Sequence, residues 1–198
     1  MIEFKWVLSG LAIALTFVAF VPYIRSIFVG DTRPHVFSWV IWGITTGIVF
    51  FAQLEGGGGV GAWPIGISGA VTIFIAFLAF VKRGDISITT TDWLFLSAAL
   101  ASLPFWYFTA NPLWAVVVLT TVDLLGFGPT VRKSYAFPYQ ENALFFVLFL
   151  VRNLFVLLAL EHYSLTTVLF PLAMGLACLL LLVMIGYRRK AVDSLGSE

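Results

Sequence analysis

The sequence predicts an all-α integral membrane protein of seven transmembrane helices, and three observations carry that reading. Of the 198 residues, 61% are hydrophobic and 11% are charged, with a mean hydropathy of +1.02. A soluble domain carries about 25% charged residues, so most of this surface is built for lipid rather than water. Apolar runs of about 20 residues, the length needed to cross the hydrocarbon, follow one another along the whole chain. The basic residues fall almost entirely in alternate connections between those runs.

The runs cover roughly 5–29, 36–54, 62–81, 92–109, 112–131, 143–160 and 165–187. Each break carries turn or polar chemistry: Asp31-Thr32-Arg33-Pro34, Glu55 with Gly56 to Gly59, Lys82-Arg83-Gly84-Asp85, Asn111-Pro112, Arg132-Lys133 with Pro138, Glu161-His162, and Arg188-Arg189-Lys190. The break at 109–112 separates two spans, because about 40 residues of helix at 1.5 Å each would be twice the membrane thickness. The run from Trp6 to Ile24 is too long for a typical signal-peptide core and no small-residue cleavage pattern follows it, so it reads as a retained helix.

With seven spans, one side of the membrane receives Arg25, Arg33, Lys82, Arg83, Arg132, Lys133, Arg188, Arg189 and Lys190, and the other only Lys5. The positive-inside rule then puts the C-terminus in the cytoplasm and the N-terminus outside. A net charge of +1 says nothing in favour of a nucleic-acid partner, and none is expected. Cys178 is the only cysteine, which excludes an intrachain disulfide and a cysteine metal cluster. With two histidines, no HxxH or HExxH spacing, no GxSxG and no kinase set, neither a metal, a cofactor nor an enzymatic activity is expected. Gly56 to Gly59 lack the lysine and hydroxyl of a phosphate loop and read as a flexible hairpin.

Sliding the chain along itself by 107 residues lays Val21-Pro22-Tyr23-Ile24-Arg25 over Gly128-Pro129-Thr130-Val131-Arg132, and Ala52 over Ala159. Identities are few, but hydropathy lines up throughout. Spans one to three match spans five to seven in the same orientation, with span four as the linker. The chain divides accordingly into a three-helix bundle at 1–81, a linker helix at 82–110, a second bundle at 111–188 and a cytoplasmic tail at 189–198. A parallel repeat is a known transporter plan. This 3+1+3 layout, with a proline and a basic residue three positions later in both copies, resembles the PQ-loop superfamily. That group includes the SWEET sugar carriers, cystinosin-like amino-acid exporters and, more distantly, nicotinamide-riboside-type carriers. The glutamine of the family's Pro-Gln pair is replaced by Tyr23 and Thr130, and the asparagines that hold sugar in SWEET carriers have no counterpart in the third and seventh spans. Those spans offer Ser68 and Thr72, and Thr166 and Thr167. The resemblance implies transport by alternating access of two bundles, although sorting receptors share the architecture.

The residues most able to carry chemistry are the intramembrane ionisable ones, because a lone charge at mid-membrane costs about 3 kcal/mol or much more. Asp123 lies roughly 16 Å from the start of span five, and Arg152 roughly 13 Å from the end of span six, at 1.5 Å per residue. Those spans are consecutive and antiparallel, so an Asp123–Arg152 pair is expected, with Asn153 and Thr120 completing a polar cluster. It serves either a solute or the locking of two helices. Thr45 and Thr46 match Arg152 and Asn153 in the repeat; they either line the site or bond back to their own helix. Trp42, with Trp39 and Ser38, forms an aromatic stretch suited to stacking a ligand or to packing. Pro22 and Pro129 read as hinges or as static kinks. Gln53, Glu55, Glu161 and His162 gather at the outer mouth as solvated loop residues.

The expected function is secondary transport of a small polar solute, anions included. Arg152 binds a carboxylate or phosphate and Asp123 carries a coupled proton. The alternatives are a non-transporting receptor, sensor or assembly factor on the same scaffold and, behind it, a membrane-embedded lipid enzyme. The partners expected are the solute and the lipid bilayer, with a homo-oligomer left open.

Overall fold

The computed structural model describes residues 2–30, 34–82, 88–139 and 142–195. The turns at Asp31-Thr32-Arg33 and Arg83-Gly84-Asp85, and the side chains of Pro129 and Lys133, lie outside the described set. Within it the helices are α1 (Ile2–Val29), α2 (Val36–Glu55), α3 (Trp63–Val81), α4 (Thr90–Thr109), α5 (Pro112–Gly126), α6 (Gly128–Ala136), α7 (Ala143–Ala159) and α8 (Leu165–Leu195). A 3-10 turn, Gly59–Ala62, leads into α3.

The helix ends follow from local chemistry. His35 caps α2 through Nδ1, which accepts from the Ser38 amide. Thr89 and Asp92 form a reciprocal capping box on α4. Asn111 and Asn142 cap α5 and α7 through their side-chain oxygens. The break between α4 and α5 is confirmed: Ala110 turns left-handed at φ 47°, and Pro112 starts the next helix. The fifth apolar run is interrupted once, at Phe127, so Pro129 stands in the first turn of α6 rather than inside a long helix. Pro22, by contrast, sits within the uninterrupted α1. The last helix does not stop where the sequence pattern stops. It continues to Leu195, and at 1.5 Å per residue its 31 residues span roughly 46 Å, well beyond the hydrocarbon. The overhang is fastened to α6 and the segment after it: Arg188 Nε donates to the Tyr135 carbonyl, and Arg189 Nε to that of Pro138.

Five stretches are long and apolar enough to cross a membrane: Glu3–Val29, Val36–Glu55, Gly59–Val81, Pro112–Ala136 and Leu165–Ser194. The shorter α7 is apolar over 17 residues, and α4 is not among the five. This is the makeup of a multi-pass membrane protein.

The helices pack in a definite pattern. α3 lies against both α1 and α2, and α8 lies against both α5 and α7. Two further contacts join these sets, α1 with α7 and α2 with α5. α4 touches α5 and α2 and buries only Ala99 and Ser102, leaving Tyr107 and Phe108 open. The central seam is filled by small and branched residues, among them Ala12, Val49, Ala52, Ala115, Val116 and Val156. Small side chains suit helices that associate in lipid, where backbones gain by approaching closely.

The closest approach of a glycine to another backbone is at Gly61. A Cβ there would lie 2.6–2.8 Å from backbone atoms of Leu160 and Ala159, which cannot rotate away. Gly61→Ala is therefore expected to destabilise by about 1–3 kcal/mol, the usual range for overpacking. Gly186→Ala, with open space around its Cβ, should leave the thermal unfolding midpoint in detergent unchanged or slightly raised. Equal midpoints for the two variants would refute this contact.

Candidate substrate cavity

A cavity of about 170 Å³ lies among the helices, and every helix except α4 and α6 contributes to its wall. Its polar atoms come from Asp123 on α5, Arg152 and Asn153 on α7, Thr46 on α2, and Ser68 and Thr72 on α3. The rest is mainly aromatic.

The two charged residues do not pair. Both are buried, Asp123 at 5% and Arg152 at 3% exposure. Arg152 sends Nε to Thr16 Oγ1 at 3.2 Å, Nη1 to Asn153 Oδ1 at 3.2 Å and Nη2 to the Pro64 carbonyl at 2.7 Å. It thereby ties α7 to α1 and α3. Asp123 accepts through Oδ1 from the Thr45 hydroxyl at 3.0 Å, which ties α5 to α2. The expected Asp123–Arg152 ion pair is thus corrected. Matching depth on consecutive helices was the basis for it, but α5 and α7 are not packed against each other, and each residue faces a different helix pair.

The other expected site residues divide. Trp42, Thr46 and Asn153 line the cavity. Thr45 stands one bond behind Asp123, and its hydroxyl lies 3.0 Å from both Asp123 Oδ1 and the Trp42 carbonyl. It both back-bonds and serves the site, donating its single proton to one acceptor at a time. Thr120 is off the wall, buried with its hydroxyl unpartnered. Sequence reasoning missed the acceptors that hold Arg152, namely Thr16 and the Pro64 carbonyl, and most of the rings. The signal was present in the offset already noted. Thr16 and Asp123 are 107 residues apart, as are Thr45 and Arg152, and the two hydrogen bonds connect these very residues crosswise. The same offset relates Phe20 to Phe127, Trp39 to Phe146, Trp42 to Phe149 and Thr46 to Asn153, all of them on the cavity wall.

Two different kinds of contact flank the cavity. Beyond Ser68 and Phe170 the α2–α3 connection meets the α7–α8 connection, backbone against backbone. Val60 N donates to Glu161 Oε1, Glu161 N to the Gly58 carbonyl, and Gln53 Nε2 to the Thr167 carbonyl. From α1, Lys5 Nζ donates to the Leu160 carbonyl at 2.6 Å and Ser9 to that of Val60 at 2.7 Å. Gly59 has φ +57°, and a Cβ on it would strike the Glu161 carboxyl. Two sequence expectations fail here. The glycine run is a fastened turn rather than a flexible hairpin, and Gln53, fully buried, is no solvated loop residue. Glu55 and His162 are exposed as expected. At the opposite end the contacts are between rings. Phe20 meets Trp39, Phe145 and Phe149 edge-on at 5.4–6.3 Å, and Phe145 stacks on Phe149 at 4.6 Å.

Among the described residues no three His, Cys, Asp or Glu side chains gather as a metal site. In comparison with known proteins, no family model, curated protein or solved structure matches the chain.

Separate anchoring makes a measurable distinction. Asp123→Ala and Arg152→Ala should each destabilise, with a smaller coupling than a hydrogen-bonded pair shows, since they border one cavity but share no hydrogen bond. Thr45→Val with Asp123→Ala should instead show coupling of about 0.5–3 kcal/mol, as contacting residues do. Rescue of either charge deletion by the other, in detergent unfolding, would restore the direct pair.

Proposed function

We propose that the chain is a PQ-loop-like secondary transporter that moves a small polar solute by alternating access of two triple-helix bundles. The observation that carries the reading is the cavity itself: a partly open, mainly apolar space with a few charged and polar groups, bounded by α1, α2 and α3 on one side and α5, α7 and α8 on the other. The contact pattern supports the two bundles. α3 bridges α1 and α2 as α8 bridges α5 and α7, the seams α1–α7 and α2–α5 correspond, and α4 lies outside. The crosswise bonds Thr45–Asp123 and Arg152–Thr16, and the wall residues 107 apart, support a parallel repeat about an axis through the cavity. In this reading α4 and α7 complete seven spans, and the nine-to-one distribution of basic residues puts the C-terminus in the cytoplasm. The seal of Gly58, Val60 and Glu161 then faces outside, and the aromatic cluster faces the cytoplasm. The unbroken α1 at Pro22 and the interruption beside Pro129 are the sites where the bundles bend.

Two experiments test this. Glu55→Cys, at an exposed position in a Cys178→Ser background, should be labelled from outside, and a tag at the C-terminus should report inside; the same side for both would remove the seven-span topology. For alternating access, Thr46→Cys in a Cys178→Ser background should react with membrane-impermeant thiol reagents from each side. A Cβ at Gly56 would lie 3.3 Å from Thr166 Cβ, near the roughly 3.8 Å of a disulfide. Oxidising an added Gly56→Cys/Thr166→Cys pair should stop labelling from outside and leave labelling from the cytoplasm, with reductant restoring both. Labelling unaffected by oxidation, or confined to one side throughout, would exclude transport by this route.

A further inference from the structure

We infer that the solute is a small zwitterion, with its carboxylate held by Arg152 and its cationic amine held by Asp123. The inference rests on the reading of the cavity as a solute site and adds the chemical class of that solute.

The argument begins with what the protein leaves unmatched. A guanidinium has five N–H donors, and Arg152 spends three of them on Thr16, Asn153 and Pro64, none of which carries a charge. Among the described residues Asp123 has one hydrogen bond, from a neutral hydroxyl to Oδ1, and Oδ2 has none. Both side chains are more than nine-tenths buried, and both border the same cavity. A buried charge is ordinarily matched by an opposite charge, because leaving it unmatched in a low-dielectric surround costs several kcal/mol. Here the chain contains both signs and keeps them apart, each fixed to its own helix seam.

The possible ligands are then separated by what each leaves behind. A monoanion satisfies Arg152 but places its charge in the same small space as the Asp123 carboxylate. A monocation satisfies Asp123 and meets Arg152. A sugar leaves both charges uncompensated. With both side chains ionised, a molecule carrying both charges, spaced apart, answers both walls at once and enters with no net charge of its own.

Size and surface agree. An apolar cavity of about 150 Å³ holds benzene, so about 170 Å³ accommodates a small solute of that order. The remaining wall suits the same molecule. Trp39, Trp42, Phe20 and Phe127 are on the bordering surface, and aromatic walls suit an ammonium and most of all a methylated one. Thr46 and Asn153 stand beside the two charges as neutral partners. Small α-amino acids and betaines share this chemistry, and the methylation of the amine is what separates them.

The test uses the full-length protein purified in detergent, with thermal shift and calorimetric titration. The probes are glycine, alanine and glycine betaine at millimolar concentration. The controls are acetate as the matched anion, choline as the matched cation and glucose as the neutral solute. At least one zwitterion should raise the unfolding midpoint and titrate as a single site, while all three controls fail. Betaine against glycine decides between a quaternary and a primary amine. Asp123→Asn keeps an oxygen for the Thr45 hydroxyl and removes the charge; it should weaken the zwitterion by about tenfold or more. Arg152→Lys should do the same. If that variant does not give a monodisperse protein, Asp123→Asn alone decides. Acetate, choline or glucose binding as well as the zwitterions overturns the inference, as does zwitterion binding unchanged by Asp123→Asn, or no binding by any of the three. Proteoliposome counterflow keeps the two readings distinct. Binding without exchange retains the ligand and removes transport, whereas exchange of a neutral solute without zwitterion binding retains transport and removes the ligand.

Discussion

A guanidinium inside hydrocarbon has to find acceptors from the protein, and the way Arg152 meets that demand organises much of this structure. Its three bonds reach Thr16 on α1, the Pro64 carbonyl at the start of α3 and Asn153 beside it on α7. That carbonyl can take the bond because a carbonyl oxygen carries two lone pairs. Three helices distant in sequence are thereby held at one level, with a ring face of Phe149 near the guanidinium carbon at 5.7 Å. Because the acceptors are neutral, the cation is anchored without being neutralised. The arginine is both a structural tie and a charged wall.

The same demand explains why the two seams differ in chemistry while agreeing in layout. Each seam joins a threonine to a charged residue through one hydrogen bond. The threonine is on α1 where the charge is Arg152 on α7, and on α2 where the charge is Asp123 on α5. A short hydroxyl fits between closely packed helices and accepts from a cation or donates to an anion equally well. Threonine therefore serves both signs, and the two opposite charges are held at separate helix seams without meeting.

The ends of the cavity put different materials to different uses. At the α2–α3 and α7–α8 connections, glycines remove the side chains that would hold two backbones apart. The close approach is then fixed by backbone amides, a glutamate and bonds from Lys5 and Ser9. Opening this end means breaking several hydrogen bonds together. At the aromatic end each ring contact contributes about 0.5–1.5 kcal/mol beyond its buried area.

Much of the fold was legible in the sequence, because hydrocarbon imposes a one-dimensional rule. A crossing segment must be helical, apolar and about 20 residues long, and its ends must carry polar or turn residues. The helix limits at 29, 36, 81, 109, 112, 143 and 165 coincide with those expected from local composition. The candidate cavity residues Asp123, Arg152, Asn153, Thr46 and Trp42 stood out for a related reason: polar groups at membrane depth are rare and need partners. The choice of partner was not legible. Depth along two helices says nothing about which faces they turn to each other, and only the packing of α7 on α1 and α5 on α2 sent Arg152 to Thr16 and Asp123 to Thr45. The glycine run misled for the same reason. Four glycines read alone are a flexible chain, and they became a fastened turn only once Leu160 and Glu161, a hundred residues away, were brought against them. Local composition determined where this chain crosses and bends. Long-range packing decided what each buried polar group bonds to, because hydrogen-bond partners across a bundle are set by geometry that no single segment contains.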